Sequence, residues 1–501
     1  MTIPVSLAVD PAFKVAPVNR RTFGSFVEHM GRCVYTGIYE PEHPTADEDG
    51  FRRDVLELTR ELGVTVVRYP GGNFVSNYRW EDGVGPREQR PRRLDLAWGS
   101  TETNQFGLDE FIKWTAKAAV EPMIAMNLGT RGVQDALDLL EYANVPGGTK
   151  LSDLRVVNGA ERPHGIRMWC LGNELDGPWQ VGHKTAHEYG RLAIETARAM
   201  RLVAPELELV ACGSSSSSMP TFGSWEREVL ELAYEEVDFI SCHAYYDPGE
   251  RDLASFLASA VDMDHFVSTV AAIADQVGNQ LHNPKRINIS FDEWNVWSIG
   301  RYQSHGRLQG WPVAPRIIED EYTVADAVVV GNLLMSLLRH SDRVTAACLA
   351  QLVNVIAPIR TEPGGASWRQ TIFHPFALTS RHATGDVLRI DPTTPSYETA
   401  KYGAVPFVDA VATHDASSHR AVLFVVNRSV DQAVELQADV RGVQPVALVE
   451  ALTLADGDIR ATNTELTPNR VTPRVLDGVT LTGGTIHAVL PPVSWSMLRL
   501  S

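Results

Sequence analysis

Up to about Phe376 the chain alternates short apolar runs of β type with longer amphipathic stretches, the pattern of parallel strands joined by crossover helices. Eight such runs occur: Thr22 to Glu28, Val64 to Arg68, Pro122 to Asn127, Ile166 to Glu174, Leu207 to Gly213, Val237 to Tyr245, Ile287 to Trp294 and Val344 to Gln351. Between them, apolar residues at three- and four-residue spacing predict helices over Phe51 to Leu62, Leu108 to Ala119, Thr185 to Val203, Phe222 to Glu236 and Tyr322 to His340. Eight βα units close a barrel, so the expectation is an α/β protein whose larger domain is a (β/α)8 TIM barrel. A doubly wound open sheet gives similar local patterns, and the barrel therefore rests on the count and on where the polar residues fall.

They fall at the C-terminal ends of the runs. Glu28, Asn73, Asn127, Asn173 with Glu174, His243 with Tyr245, Glu293 and Gln351 all terminate or directly follow an apolar strand, where barrel enzymes keep their chemistry. One or two such residues would be ordinary turn formers, but nearly every run carries one.

From about Ala383 the pattern changes to short alternating runs (AVLFVVN, AVELQADV, ALVEALTL, GTIHAVLPP, SWSMLRL) broken by Gly, Asp, Asn and Pro, which predicts a jelly-roll-like antiparallel β-sandwich. The run Ile3 to Val9 alternates in the same way and is expected to join it. The predicted division is a catalytic barrel over 17–382 and a sandwich made from 1–16 plus 383–501.

Composition narrows the partners. With 45 basic and 62 acidic residues the net charge is −17, a surface that repels phosphate backbones and anionic lipid, so neither nucleic acid nor membrane is expected as a partner. A polyanionic sugar chain is disfavoured for the same reason, and a neutral one fits better. The start MTIPVSLAVDPAFKV lacks the basic residues and sustained apolar stretch of a secretory signal, which predicts a cytoplasmic protein. Five cysteines without CxxC spacing indicate neither a disulfide framework nor a metal site.

WCLGNELDGPW and INISFDEWNVW each place a glutamate, Glu174 and Glu293, after a buried strand. Glycoside hydrolysis needs one carboxyl group to protonate the leaving oxygen and, if configuration is retained, a second about 5–5.5 Å away to attack the anomeric carbon. Strands four and seven can bring such a pair to opposite sides of one mouth. Trp179, Trp294 and Trp297 lie next to the pair in sequence and are expected to supply flat apolar surface for a sugar. Arg68, at the end of strand two, is the candidate to keep Glu293 ionised through a charge-assisted hydrogen bond.

The strings FGSFVEHMGRCVYTGIYEP, RYPGGNFVSNYRWEDGVGP, MNLGTRG, WCLGNELDGPWQ, HAYY, FDEWNVW and QLVNVIAPI resemble those of α-L-arabinofuranosidases of glycoside hydrolase family fifty-one, in order over about the first 380 residues. The resemblance implies a retaining, exo-acting enzyme with Glu174 as acid/base, Glu293 as nucleophile and Asn173 donating to the sugar 2-OH. It further implies that Glu28, Asn73 and Gln351 bind the other hydroxyls and that Tyr245 bonds the nucleophile, with His243 beside it. No cofactor or metal is implied. The partner would be an arabinose-containing oligosaccharide or polysaccharide, and the assembly a homo-oligomer, a hexamer. The same apparatus could serve a β-xylosidase or an endoglucanase, because fold and acid pair do not fix the sugar. A non-catalytic carbohydrate-binding protein would be expected to lack one glutamate.

His183 and His187 are four apart near a predicted helix, without the carboxylate pattern of a metal site. GSSSSSMP reads as the fifth βα loop. Two long loops leave the catalytic face: Ser76 to Phe106, with Arg79, Arg87, Arg90, Arg92, Arg93 and Trp98, and Ser298 to Glu319, with Arg301, Tyr302, Arg307 and Trp311. Trp98 and Trp179 are expected to line the entrance, with the arginines stabilising the loops or a subunit contact, or simply solvated.

Overall fold

The computed structural model describes residues 2–249, 252–306 and 308–501. Its centre is a closed, all-parallel barrel of eight strands, Gly24–Phe26, Val66–Tyr69, Glu121–Ala125, Met168–Leu171, Glu208–Ala211, Phe239–Tyr246, Asn288–Val296 and Val344–Leu349, here numbered barrel strands one to eight. Every predicted run overlaps one of them. Closure, rather than an open sheet, comes from strand eight pairing with strand one through Cys348 opposite Gly24.

Alternation along each strand builds two layers. Phe26, Val66, Met123, Met168, Cys170, Val210 and Cys348 fill the barrel interior. Their neighbours Val67, Ile124, Trp169 and Leu171 face outward against the helices. All five predicted helices form, trimmed at their ends to Arg53–Leu62, Leu108–Ala118, Ala186–Val203, Ser224–Ala233 and Val324–Arg339. Thr185 and Thr323 lie just outside their helices and cap them, each in a reciprocal pair with the acidic residue three positions on. The longest helix, Ala260–Gln280, was not among those singled out from the sequence.

The C-terminal part is two sheets. One has seven strands in the order Lys14–Pro17, Asp386–Leu388, Val408–Asp415, Arg420–Asn427, Ser494–Leu500, Leu448–Leu454, Arg474–Val475. The other has four, in the order Ile3–Ala8, Val434–Asp439, Thr485–Leu490, Thr480–Thr482. The N-terminal strand joins the second sheet as expected, but it pairs with Val434–Asp439 in parallel, so the sandwich is not purely antiparallel. Between the sheets lies a separate core containing Val5, Leu7, Leu423, Leu436, Ile486 and Leu498.

The outer face of the seven-stranded sheet, with Phe424, Trp495 and Met497, packs on helix Val324–Arg339 and continues the barrel's outer core. That helix is buried at every position but Arg339, because it lies between barrel and sandwich. Gly331 permits the approach: a Cβ there would come within 2.3 Å of Trp495 Cδ1. Truncating Trp495 to Ala should cost about 3–5 kcal/mol. At the edge of the same contact Arg339 bonds Asp264 at 2.7 Å and also Asp409, which accepts from Arg428 at 2.9 Å.

Candidate active site

The residues singled out at strand ends converge on one mouth, apart from Asn127, whose side chain bonds Tyr78 O, Gly129 N and Thr130 in the loops. In strand seven, period-two alternation carries Ser290 and Asp292 inward, and Ser290 Oγ donates to Asp292 Oδ2 at 3.1 Å. Glu293 would then face out. Instead, the pairing shifts register against strand eight between Phe291 and Trp294, and against strand six between Ser241 and His243. A bulge of this kind re-aims side chains, and here it turns both Asp292 and Glu293 into the barrel.

Glu293 is 4% exposed. Arg68 Nη1 donates to its Oε1 at 2.7 Å and Tyr245 donates to its Oε2 at 2.8 Å. Arg68 Nη2 donates to Asn173 Oδ1 at 2.8 Å, so one guanidinium orients residues from strand seven and from the end of strand four. Burial pushes the Glu293 carboxyl upward and the charge of Glu174 adds to it, while His243, Arg68 and the Tyr245 hydroxyl oppose. Arg68 thus makes the expected contact and offsets the effect of burial without overturning it.

Glu174 follows strand four through a left-handed backbone, with φ 44°, a conformation uncommon outside glycine that aims its side chain across the mouth. Trp179 Nε1 donates to Glu174 Oε2 at 2.8 Å from the rim, where the indole is half exposed. His243 Nδ1 lies 2.9 Å from Glu174 Oε1 and its Nε2 lies 2.9 Å from Asp292 Oδ1. Burial works against a charged imidazole, but Glu293, Asp292 and Glu174 outweigh it and push His243 up to about 10. Both ring nitrogens therefore carry protons at neutral pH, and both donate.

On the opposite side of the mouth, Glu28 Oε1 accepts from Phe74 N at 2.9 Å and from Trp98 Nε1 at 2.8 Å, while Gln351 Nε2 lies 3.2 Å from Oε2. Burial, then the charge of Glu293, pushes Glu28 up to about 8. Asn73 stands between the two halves and accepts from Asn173 Nδ2 at 3.3 Å. The wall is completed by rings: Tyr245 meets Trp297 at 5.2 Å between centroids, Trp297 meets Tyr302 at 5.8 Å, and Tyr302 meets Trp98 at 6.3 Å.

Some expectations are corrected. Trp294 is fully buried in the outer core, because the residue after the bulge points away from the mouth, so it offers no surface to a sugar. His183 precedes the helix that begins at Ala186 and bonds Leu175 O, so it shares no helical face with His187, which pairs with Glu228. The serine-rich segment is the fifth βα loop, held by Asp176 through Ser215 and by Glu226 through Ser214. Arg90 ties the Trp98 loop to Glu110, Arg93 pairs with Asp82 within that loop, and Arg301 pairs with Asp320 at the end of the other loop. Arg307 lies outside the described residues. Asp292, which no sequence pattern marks for a task, has a carboxylate that meets His243 and approaches Arg68 Nε at 3.8 Å.

Comparison with known proteins gives this geometry a family. Residues 58–266 match the α-L-arabinofuranosidase 1 domain and residues 292–494 match the α-L-arabinofuranosidase C-terminal domain. The chain is 59% identical to an intracellular exo-α-(1→5)-L-arabinofuranosidase of Streptomyces lividans, over 98% of this chain and 74% of that one. It is 57% identical to an exo-α-(1→6)-L-arabinofuranosidase of Bifidobacterium longum, over 99% and 97% of the two chains. A solved family 51 α-L-arabinofuranosidase from Bifidobacterium longum superposes with a TM-score of 0.96 at 51% identity, each chain covered completely. Barrel, carboxylate pair and these likenesses agree, and the chain belongs to the family 51 α-L-arabinofuranosidases.

Proposed function

We propose that this protein is an exo-acting α-L-arabinofuranosidase that releases terminal α-L-arabinofuranosyl groups from arabinose-containing oligo- or polysaccharides, with retention of configuration. The observation that carries the reading is the placement of two buried carboxylates: one oxygen of Glu174 and one of Glu293 lie within 4.8 Å of each other. That separation is short for an inverting pair, which must admit a water between base and sugar. Glu293, aligned by Arg68 and Tyr245, attacks the anomeric carbon as Glu174 protonates the departing oxygen. The glycosyl–Glu293 ester is then hydrolysed by water, with Glu174 now taking the proton. Glu28, Asn73, Asn173 and Gln351 surround the sugar's hydroxyls, while Trp98 and Trp179 flank the entrance.

A panel of 4-nitrophenyl glycosides tests the sugar: the α-L-arabinofuranoside is turned over, and the β-D-xyloside and β-D-glucoside are not. Preferential cleavage of either of the latter overturns the reading. Relatives named for (1→5) and (1→6) linkages are almost equally similar, so linkage is to be measured on the two disaccharides.

The relatives' names support an intracellular, cytoplasmic location, and among the described residues no helix is long and apolar enough to cross a membrane. The core between the two sheets, distinct from the barrel interior, supports dividing the chain into 17–382 and 1–16 plus 383–501. The family resemblance further supports a hexamer. Light scattering that returns a monomer removes that last element.

A further inference from the structure

Among the described residues, Glu174, His243 and Glu293 each place one ligand atom within 4.8 Å of the others. His243 Nε2 is committed to Asp292 Oδ1 at 2.9 Å, which leaves Nδ1 facing Glu174 Oε1 at 2.9 Å and Glu293 Oε2 at 3.7 Å. A carboxylate behind an imidazole whose other nitrogen is presented inward is the arrangement that orients histidine in zinc sites. Tetrahedral zinc, with ligands at about 2.0–2.2 Å, holds those ligand atoms about 3.3 Å apart. The two distances from Nδ1 straddle that value, and the two carboxylates, whose ligand atoms lie within 4.8 Å of each other, would draw together around the ion.

We propose that Glu174, His243 and Glu293 form a three-ligand site for a borderline divalent cation such as Zn2+, with the fourth position open to the cleft. An imidazole and two carboxylates suit zinc better than Mg2+ or Ca2+, which take six or more oxygen ligands. The ion takes the place of the proton between His243 and Glu174, and that proton leaves to solvent. Arg68 and Tyr245, bonded to Glu293, remain outside the ligand set. On the reading proposed above, the same three groups act on the sugar, so the bound ion excludes it and inhibits. The other acidic cluster, Asp47, Glu48 and Asp49, already holds a cation of its own, Lys117 Nζ at 2.8, 2.9 and 2.6 Å, and gives no room for an ion.

The test is calorimetric titration of the full-length protein with ZnCl2, together with visible spectra after addition of CoCl2. One Zn2+ should bind per chain, and Co2+ should show the intense d–d bands of a tetrahedral ion. Asp292→Asn should weaken binding by about 10–100-fold through loss of the group behind His243. Glu174→Gln, which keeps the side chain's shape, should weaken it as well. Absence of one-to-one binding, or binding unchanged in a folded Glu174→Gln protein, overturns the site. Saturating L-arabinose should block the ion. Binding that depends on Glu174 yet ignores the sugar upholds the cation site and contradicts the cleft as the sugar site.

Discussion

Arg68 Nη1 lies 2.7 Å from Glu293 Oε1, and its Nη2 lies 2.8 Å from Asn173 Oδ1, so a single buried guanidinium spans the two strand ends that carry the glutamate pair. Arg68 is 1% exposed, and no water can replace it without entering the barrel. Its removal takes the guanidinium from Glu293 and Asp292 and leaves them facing His243.

Arg68→Ala should therefore lower kcat by at least about 100-fold and cost roughly 3–5 kcal/mol of stability, the penalty of breaking a buried ion pair. Arg68→Lys should recover much of the stability but little of the rate, since one ammonium cannot hold two acceptors in the guanidinium's planar fork. Kinetics and urea unfolding of both variants check this. An alanine variant with near-normal kcat would make Arg68 structural only.

Glu174→Ala should slow hydrolysis of a natural oligosaccharide by about 100–10,000-fold, because a poor leaving group needs its proton. An aryl arabinofuranoside with a leaving group of low pKa should lose far less in its first step. Azide should then restore turnover and yield an arabinosyl azide. Equal losses on both substrates would remove Glu174 from the acid/base role.

Glu28 gives a pH signature. Its carboxyl stands at about 8 in the folded protein against an ordinary 4.5. The folded state thus binds the proton more tightly, and the group's contribution to stability is fully present below pH 4.5 and is lost as pH rises toward 8. The loss over that span is of order 5 kcal/mol. Glu28→Gln cannot titrate, so its stability curve should lack this segment. Parallel curves for the two proteins from pH 5 to pH 8 would contradict the buried, proton-holding Glu28.

The barrel was legible in the sequence because its strands alternate with amphipathic helices and polar residues gather at one end of each strand. Glu174 and Glu293 stood out for that reason. What escaped was set by local geometry that periodicity does not encode. The bulge in strand seven reverses the faces of Glu293 and Trp294 and brings Asp292 onto the same side as Glu293. The parallel seat of Ile3–Ala8 depends on a partner more than 400 residues away. The chain of contacts from Trp98 to Glu28 spans a long loop whose path no local pattern specifies.

The stereochemistry of the first-formed product tests the central claim most directly. On the proposed reading, a pair this close leaves no room for a water behind the anomeric carbon, so the first step forms an ester on Glu293 that is attacked from the original side. Proton NMR of an aryl α-L-arabinofuranoside during early turnover should show α-arabinofuranose before mutarotation, and added methanol should give the methyl α-glycoside. Appearance of the β-anomer first would mean inversion, with Glu293 serving as a base and not as a nucleophile.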